Sequence, residues 1–226
     1  MGLLKGEEYS FLRKFDKAQK YFRYAVRASL RDIYNKTIYG PEAPRYAEKI
    51  WVDPFDLLDL LDGLGDSYSG KVIRSSWPPL NRPITKSLEM GKIRCCFQHW
   101  VEGISWERTG IYELLEEYIT RHPKHCFDDC TSRSNLVQRY EKLDLIFQEV
   151  KKQGNIKANN EIDTWCFREK DGIYVHVGPG GHLFFGGGGC HRLAMALILG
   201  FHCIPAKIGC VHISSIPSLT HLRQKD

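Results

Sequence analysis

Between Gly172 and His212 the apolar positions change period three times. Ile173, Val175 and Val177 alternate with Tyr174 and His176, the spacing of a half-buried strand. Gly178-Pro179-Gly180-Gly181 predicts a turn, and Leu183-Phe184-Phe185 a short apolar strand. Four glycines, Gly186 to Gly189, follow directly. Leu193, Ala194, Ala196, Leu197 and Leu199 then recur at helical spacing, in a helix opened by Cys190-His191-Arg192 and capped by Gly200. Ile204 to Val211 reads as a third strand, entered through Pro205.

Upstream, the pattern is mainly helical. Over residues 7–39, Phe11, Phe15, Tyr21, Phe22, Tyr24, Val26 and Leu30 recur near helical spacing, while Lys14, Lys17, Lys20, Arg23, Arg27 and Arg31 share much of the other face. This predicts one helix, or two, packed on the core with a solvated basic face. The alternative is a membrane-surface or nucleic-acid-binding helix, against which Asp16 and Asp32 interrupt the charge. A strand is expected at Lys49 to Val52. Asp53-Pro54 then predicts a helix through Phe55, Leu57, Leu58, Leu60 and Leu61, ended by Gly63 and Gly65. Residues 66–100 carry Trp77-Pro78-Pro79 and Asn81-Arg82-Pro83 and read as irregular, with Arg74, Arg82 and Lys86 as candidates to line an anionic site. Residues 101–121 end in a helix capped by Ser105, or by Thr109 after a break. The clearest helix covers residues 134–153, with Leu136, Val137, Tyr140, Leu143, Leu145, Ile146, Phe147 and Val150 on its apolar face, Ser134 as cap and Gly154 as stop. A strand is expected near Thr164 to Phe167, and a polar tail after Ser214.

Composition narrows this only slightly. Of 226 residues, 42% are hydrophobic and 12% aromatic, which is the make-up of a folded chain rather than a disordered one. The net charge of +5 suits an anionic ligand but is milder than most nucleic-acid-binding domains carry. No apolar run reaches the length of a membrane span. The first residues lack a signal-peptide core, and Gly6 stands where a myristoylation pattern needs Ser or Thr. Without a secretion signal, the eight cysteines read as reduced thiols, which predicts a cytoplasmic protein.

The candidate chemistry gathers at the glycine run. Glycines before a helix leave N–H groups uncovered at an end of partial positive charge, and His191 and Arg192 add donors, so Gly187, Gly188, Gly189, His191 and Arg192 outline a phosphate cradle. It is not a Walker A loop, since no Gly-Lys-Ser/Thr follows, and a bare glycine run meets a dinucleotide fingerprint only trivially. A plain strand-to-helix turn is the simpler alternative. Glu102 and Glu107 are candidate carboxylates for assisting an acceptor hydroxyl, Glu107 equally serving a helix N-terminus. His122, His125, Cys126 and Cys130 invite a zinc reading, with Cys95, Cys96 and His99 as a second cluster, but the spacing follows no standard pattern.

Gly188-Gly189-Cys190-His191-Arg192, with Ile204-Pro205-Ala206-Lys207 beyond it, resembles the nucleotide-binding signature of sulfiredoxin and, more broadly, the ParB/sulfiredoxin superfamily. The likeness is specific over about forty residues and weaker back to about Leu136. Two extra glycines and a long N-terminal region depart from sulfiredoxin. The resemblance implies an α+β fold: a small mixed sheet with helices over residues 131–226, preceded by a mainly helical extension over residues 1–130, the two forming one continuous unit. It implies ATP or another nucleoside triphosphate with Mg²⁺, held by the glycines, His191, Arg192 and, from the following strand, Lys207. Three activities follow. One is an ATP-dependent kinase acting on an unknown phosphoryl acceptor, as in the superfamily's free-serine kinases, with Glu102 or Glu107 assisting. Another is a sulfiredoxin-like repair of a cysteine sulfinic acid through Cys190, where His191, Arg192 and the helix N-terminus favour thiolate. The third is a non-catalytic CTP- or ATP-gated DNA-binding protein, less favoured because the charge is modest and no helix-turn-helix is evident.

Overall fold

The computed structural model describes residues 3–57, 59–61, 63–77, 88–121 and 130–225, with side chains from Lys17 onward except those of residues 88 and 89. It is a mixed α+β structure built on one six-stranded mixed sheet. The strands are β1 (Lys49–Val52), β2 (Asp59–Leu60), β3 (Val72–Ile73), β4 (Ile173–Val177), β5 (Leu183–Phe185) and β6 (Ile204–His212). Their order is β1-β6-β4-β5-β2, and β3 pairs with the far half of β6. Strands β1 and β6 run antiparallel, with Lys49 opposite Lys207, and β4 and β6 run parallel. The expected division at residue 130 cuts through this sheet, because β1, β2 and β3 precede it.

The alternation read in β4 implied one buried face; all five residues are buried. The reason is a cover on each side. Ile173, Val175, Val177, Ile204, Ala206 and Ile208 face a helical layer. Phe184 and Cys210 pack on the other side with Leu61 and Leu64. The helical layer comprises α2 (Leu88–Trp100), α3 (Trp106–Thr109), α4 (Ile111–Arg121), α5 (Arg133–Gln153) and α7 (Cys190–Leu199), whose buried residues join the sheet in one core. Trp100 stacks on Phe147 with ring centroids 4.4 Å apart, and the indole N–H groups of Trp100 and Trp106 both donate to Asp144. Two short helices, α6 (Asn159–Ile162) and α8 (Leu219–Leu222), complete the set.

Helix α1 (Leu3–Tyr39) is a single element, as the aromatic pattern suggested, but it does not pack as expected. Its inward face is mostly small or polar. Ala28 and Asn35 are buried, and the Asn35 amide donates to the carbonyls of Pro44 and Gly70, each at 2.6 Å. Asp32 accepts from Tyr46 N–H and from Arg168. Tyr24 packs with Ala28 on Tyr46, Ala47 and Phe167, whereas Phe22, Val26, Leu30, Ile33, Tyr34 and Ile38 are exposed.

Four local expectations change. The helix read over Phe55 to Leu61 is a single 3₁₀ turn, Pro54–Asp56, capped by the Asp53 carboxylate; Leu60 is drawn instead into pairing with Phe185 at the sheet edge. The stretch read as irregular to residue 100 contains α2, where Met90, Ile93, Phe97 and Trp100 recur at helical spacing behind the prolines that masked it. No strand forms at Thr164 to Phe167: Trp165 N–H turns back to Asp163, and Phe167 packs against Tyr46 and Tyr21. Helix α5 is capped by Ser132 rather than Ser134, its hydroxyl accepting from Asn135 N–H, and ends on left-handed Gly154 as expected. Thr109 does mark a break: its hydroxyl accepts from Ile111 N–H just past left-handed Gly110.

Candidate functional site

A cavity of about 1000 Å³ opens where the glycine run meets α7. Gly187 to Arg192 form one wall. Helix α5 forms the opposite wall with Arg139, Leu143, Ile146, Glu149, Val150 and Gln153. These six recur at helical spacing, so one face of α5 is given to the cavity. Lys92, Lys157, Glu161, Asp171, Ile156, Ile162 and Met195 complete the lining.

The glycine run is laid along β4 by backbone bonds. Gly186 N–H donates to Tyr174 C=O at 2.7 Å, and Tyr174 N–H donates to Gly188 C=O at 3.0 Å. Gly189 has φ +81°, and a Cβ there would stand 2.8 Å from Ile173 Cα, so both conformation and space require glycine. It is the N-cap of α7 and offers no side chain to cap the helix. An N-terminus of this kind presents N–H donors and partial positive charge to the cavity. The Cys190 thiol lines the cavity and donates to Gly187 C=O at 3.3 Å. His191 Nε2 lies 3.1 Å from Tyr140 Oη, which ties the loop to α5.

Arg192 lines the cavity but is engaged elsewhere. Its guanidinium donates to Asn159, to the Lys157 carbonyl and to Glu169, the last at 3.5 Å. Glu169 is fully buried and also accepts from Asn159 N–H. Burial raises the Glu169 carboxyl above its ordinary range, against the opposing pull of Arg192, and burial lowers Arg192. The first role of Arg192 is therefore to anchor the 157–169 segment to α7. Lys207 is not in the cavity lining: its ammonium lies 3.3 Å from Asp66 and 4.2 Å over the Tyr174 ring. Burial lowers Lys207, with Lys170 adding to the effect. Asp66 is held below the usual carboxylate range in spite of its burial, by the Tyr46 hydroxyl and by Lys207 and Lys170.

Glu102 lies in the turn after α2 and Glu107 in the first turn of α3; both are exposed and neither lines the cavity. The carboxylates that do are Glu149, Glu161 and Asp171. For the zinc reading, His122, His125 and Cys126 lie outside the described residues, as do Arg82 and Lys86. Cys95 donates to Thr109 C=O, and His99 lies between Ile104 C=O and Asp144. No group of three or more His, Cys, Asp or Glu among the described residues is placed to hold a metal.

The residue that sequence reasoning missed is Arg139. Its Nε–H is buried and has no hydrogen-bond partner among the described residues, inside a cavity it lines. No signal in the sequence singled it out, since Glu149 and Gln153 are polar on the same helix face. No protein-family model matches the chain, and neither a curated protein nor a solved structure matches it.

Proposed function

We propose that the cavity binds a nucleoside triphosphate and that the chain transfers its terminal phosphoryl group to a hydroxyl-bearing acceptor. The observation that carries this reading is the unpartnered Nε–H of Arg139 in a cavity that also receives the uncapped N-terminus of α7. Such a donor costs free energy when unsatisfied, and an anionic oxygen is the partner that satisfies it best. The resemblance of Gly188 to Arg192 to the ParB/sulfiredoxin signature supports the same ligand from the sequence side. Leu143, Ile146, Ile156, Ile162 and Met195 offer an apolar wall suited to a flat heterocyclic base.

Catalysis here is positioning and charge stabilisation. The Gly187–Arg192 backbone and Arg139 hold the phosphates. Asp171, exposed beside the loop, takes the acceptor's proton as its oxygen attacks phosphorus; the bond to the nucleoside diphosphate breaks and the diphosphate leaves. Glu161 is an oxygen donor fit for the divalent cation that accompanies a triphosphate and offsets its charge.

Binding is tested by thermal shift with ATP, CTP and GTP, each with Mg²⁺. One of them should stabilise the chain, by about 2.7 kcal/mol at a hundred times its dissociation constant. Arg139→Met should abolish the shift and leave the unliganded melting temperature in place. Absence of a shift with any nucleotide overturns the reading. Asp171→Asn should keep the shift and lose phosphoryl transfer to the acceptor.

Cys190 favours a second reading, because its thiol lines the same cavity at a helix N-terminus. Turnover with a peroxiredoxin sulfinate that Cys190→Ser abolishes and Asp171→Asn spares would replace the kinase by a sulfiredoxin-like enzyme.

A further inference from the structure

Helix α1 is amphipathic in the reverse sense. Phe22, Val26, Leu30, Ile33, Tyr34 and Ile38 are exposed, three of them by about two thirds: Phe22 68%, Leu30 69% and Ile33 66%. Their spacing puts them on one face, a stripe roughly 24 Å long at 1.5 Å per residue. A helix that meets only water has no reason to show this face, since isolated exposed apolar residues are ordinary but a continuous stripe is not. The core is not the stripe's destination either: α1 is fastened inward on its other side, through Asn35, through Asp32 to Arg168, through Lys17 to Asp163 at 2.7 Å, and through Tyr24, Ala25 and Ala28 on Tyr46, Ala47 and Phe167.

The charge beside the stripe has one sign. Between Lys17 and Tyr39 the basic residues are Lys17, Lys20, Arg23, Arg27, Arg31 and Lys36, and the acidic one is Asp32, which faces inward. Along one edge of the stripe a groove of about 610 Å³ runs between α1 and β3. Arg23, Arg27, Arg31 and Lys71 line it, over Val26, Leu30 and Tyr34. Asp66 faces Arg27 at 3.5 Å, and Arg31 donates to Ser67 C=O; the groove otherwise concentrates cations beside aliphatic side chains.

We propose that α1 docks this chain on a membrane surface containing anionic phospholipid. The aliphatic stripe enters the headgroup–acyl boundary, and the Arg23–Arg27–Arg31–Lys71 groove receives lipid phosphates. An exposed aliphatic face flanked by Lys and Arg is the signature of an interfacial helix. The same chemistry separates lipid from nucleic acid: a polynucleotide has no use for Leu30, Ile33 and Ile38, whereas a bilayer buries them. No helix among the described residues is long and apolar enough to cross a membrane, so α1 lies on the surface.

The test is sedimentation of the full chain with sucrose-loaded vesicles of phosphatidylcholine alone or with a third phosphatidylglycerol. The chain should sediment with the anionic vesicles and remain in solution with phosphatidylcholine alone. Arg23→Gln and Arg27→Gln should each weaken binding about fivefold, as removal of one cation near an anionic surface does. Leu30→Ser and Ile33→Ser should each weaken it at least about tenfold, from lost burial of the side chain. Circular dichroism and melting of these surface variants should match the parent. A chain that stays in solution with anionic vesicles overturns the proposal. So does equal binding to both vesicle types, or a lipid-free dimer that Leu30→Ser dissolves. Duplex DNA binding that the arginine variants weaken and Leu30→Ser spares also overturns it. The nucleotide thermal shift is read separately, so failure of this proposal leaves that of the cavity intact.

Discussion

The helical layer and helix α1 are attached to the rest of the chain by opposite means. In the layer, α2, α4, α5 and α7 bury Ile93, Ile111, Leu115, Leu136 and Leu193 against β4 and β6. Helix α1 is held mainly by Asn35, Asp32 and the Arg27–Asp66 pair, with a small cluster of Tyr24, Ala25 and Ala28 on Tyr46, Ala47 and Phe167, and its large aliphatic residues face away. Apolar packing is non-directional and scales with area. Polar fastening fixes an orientation while contributing little net free energy per bond. A helix held the second way can keep its apolar face for another surface.

Variants can break this contrast, and the largest effect is expected where the two modes meet. Arg192→Ala leaves Glu169 buried without its partner and should cost about 3–5 kcal/mol in urea unfolding. Glu169→Gln in the same chain should return part of that loss, and parental stability in Arg192→Ala alone would disprove the pair. Leu136→Ala in α5, fully buried, should cost about 2–5 kcal/mol. On the α1 side, Asn35→Ala should cost about 1–3 kcal/mol by orphaning the Pro44 and Gly70 carbonyls. At the small end, Leu30→Ser on the outward face should change stability by no more than about 0.5 kcal/mol. A larger loss would mean that the stripe is covered within the chain.

His176, beside Cys210 and Tyr174 in the sheet, adds a pH dependence. Burial pushes it down to about 3, with Lys207 adding to the shift, and its Nδ1 accepts from Cys210 N–H at 3.0 Å. It is neutral in the fold and protonates in the unfolded chain near its ordinary value of 6.5. Its contribution is therefore whole above about pH 6.5 and shrinks as pH falls toward 3, by about 1.4 kcal/mol per pH unit. His176→Asn, which keeps an acceptor for Cys210, should flatten that slope in unfolding curves from pH 7 to 5.

The glycine-loop segment was legible because each of its elements carries a local signal: alternation, a Gly-Pro turn, a helical period and a left-handed glycine cap at Gly200. Leu60 was not, since pairing with Phe185 is a long-range fact that its leucine-rich neighbourhood hides. The site was half legible. The loop announces itself in glycines, while Arg139 and Asp171 join it only through the fold. Arg192 shows the converse error: a guanidinium in a promising position whose partners, Asn159 and Glu169, are set by tertiary structure.

Strand β6 has a consequence for how the chain reaches this structure. It is the seam of the sheet, joined to β4 along one side and to β1 and then β3 along the other. Strands β1 and β3 therefore have no partner until a segment far downstream in the sequence arrives. Such sequence-distant pairing carries a large loop-closure cost and slows folding. While β6 is still being synthesised, the earlier strands present unsatisfied edges, and the growing chain depends on α1 and its neighbours staying apart from other chains until the seam closes.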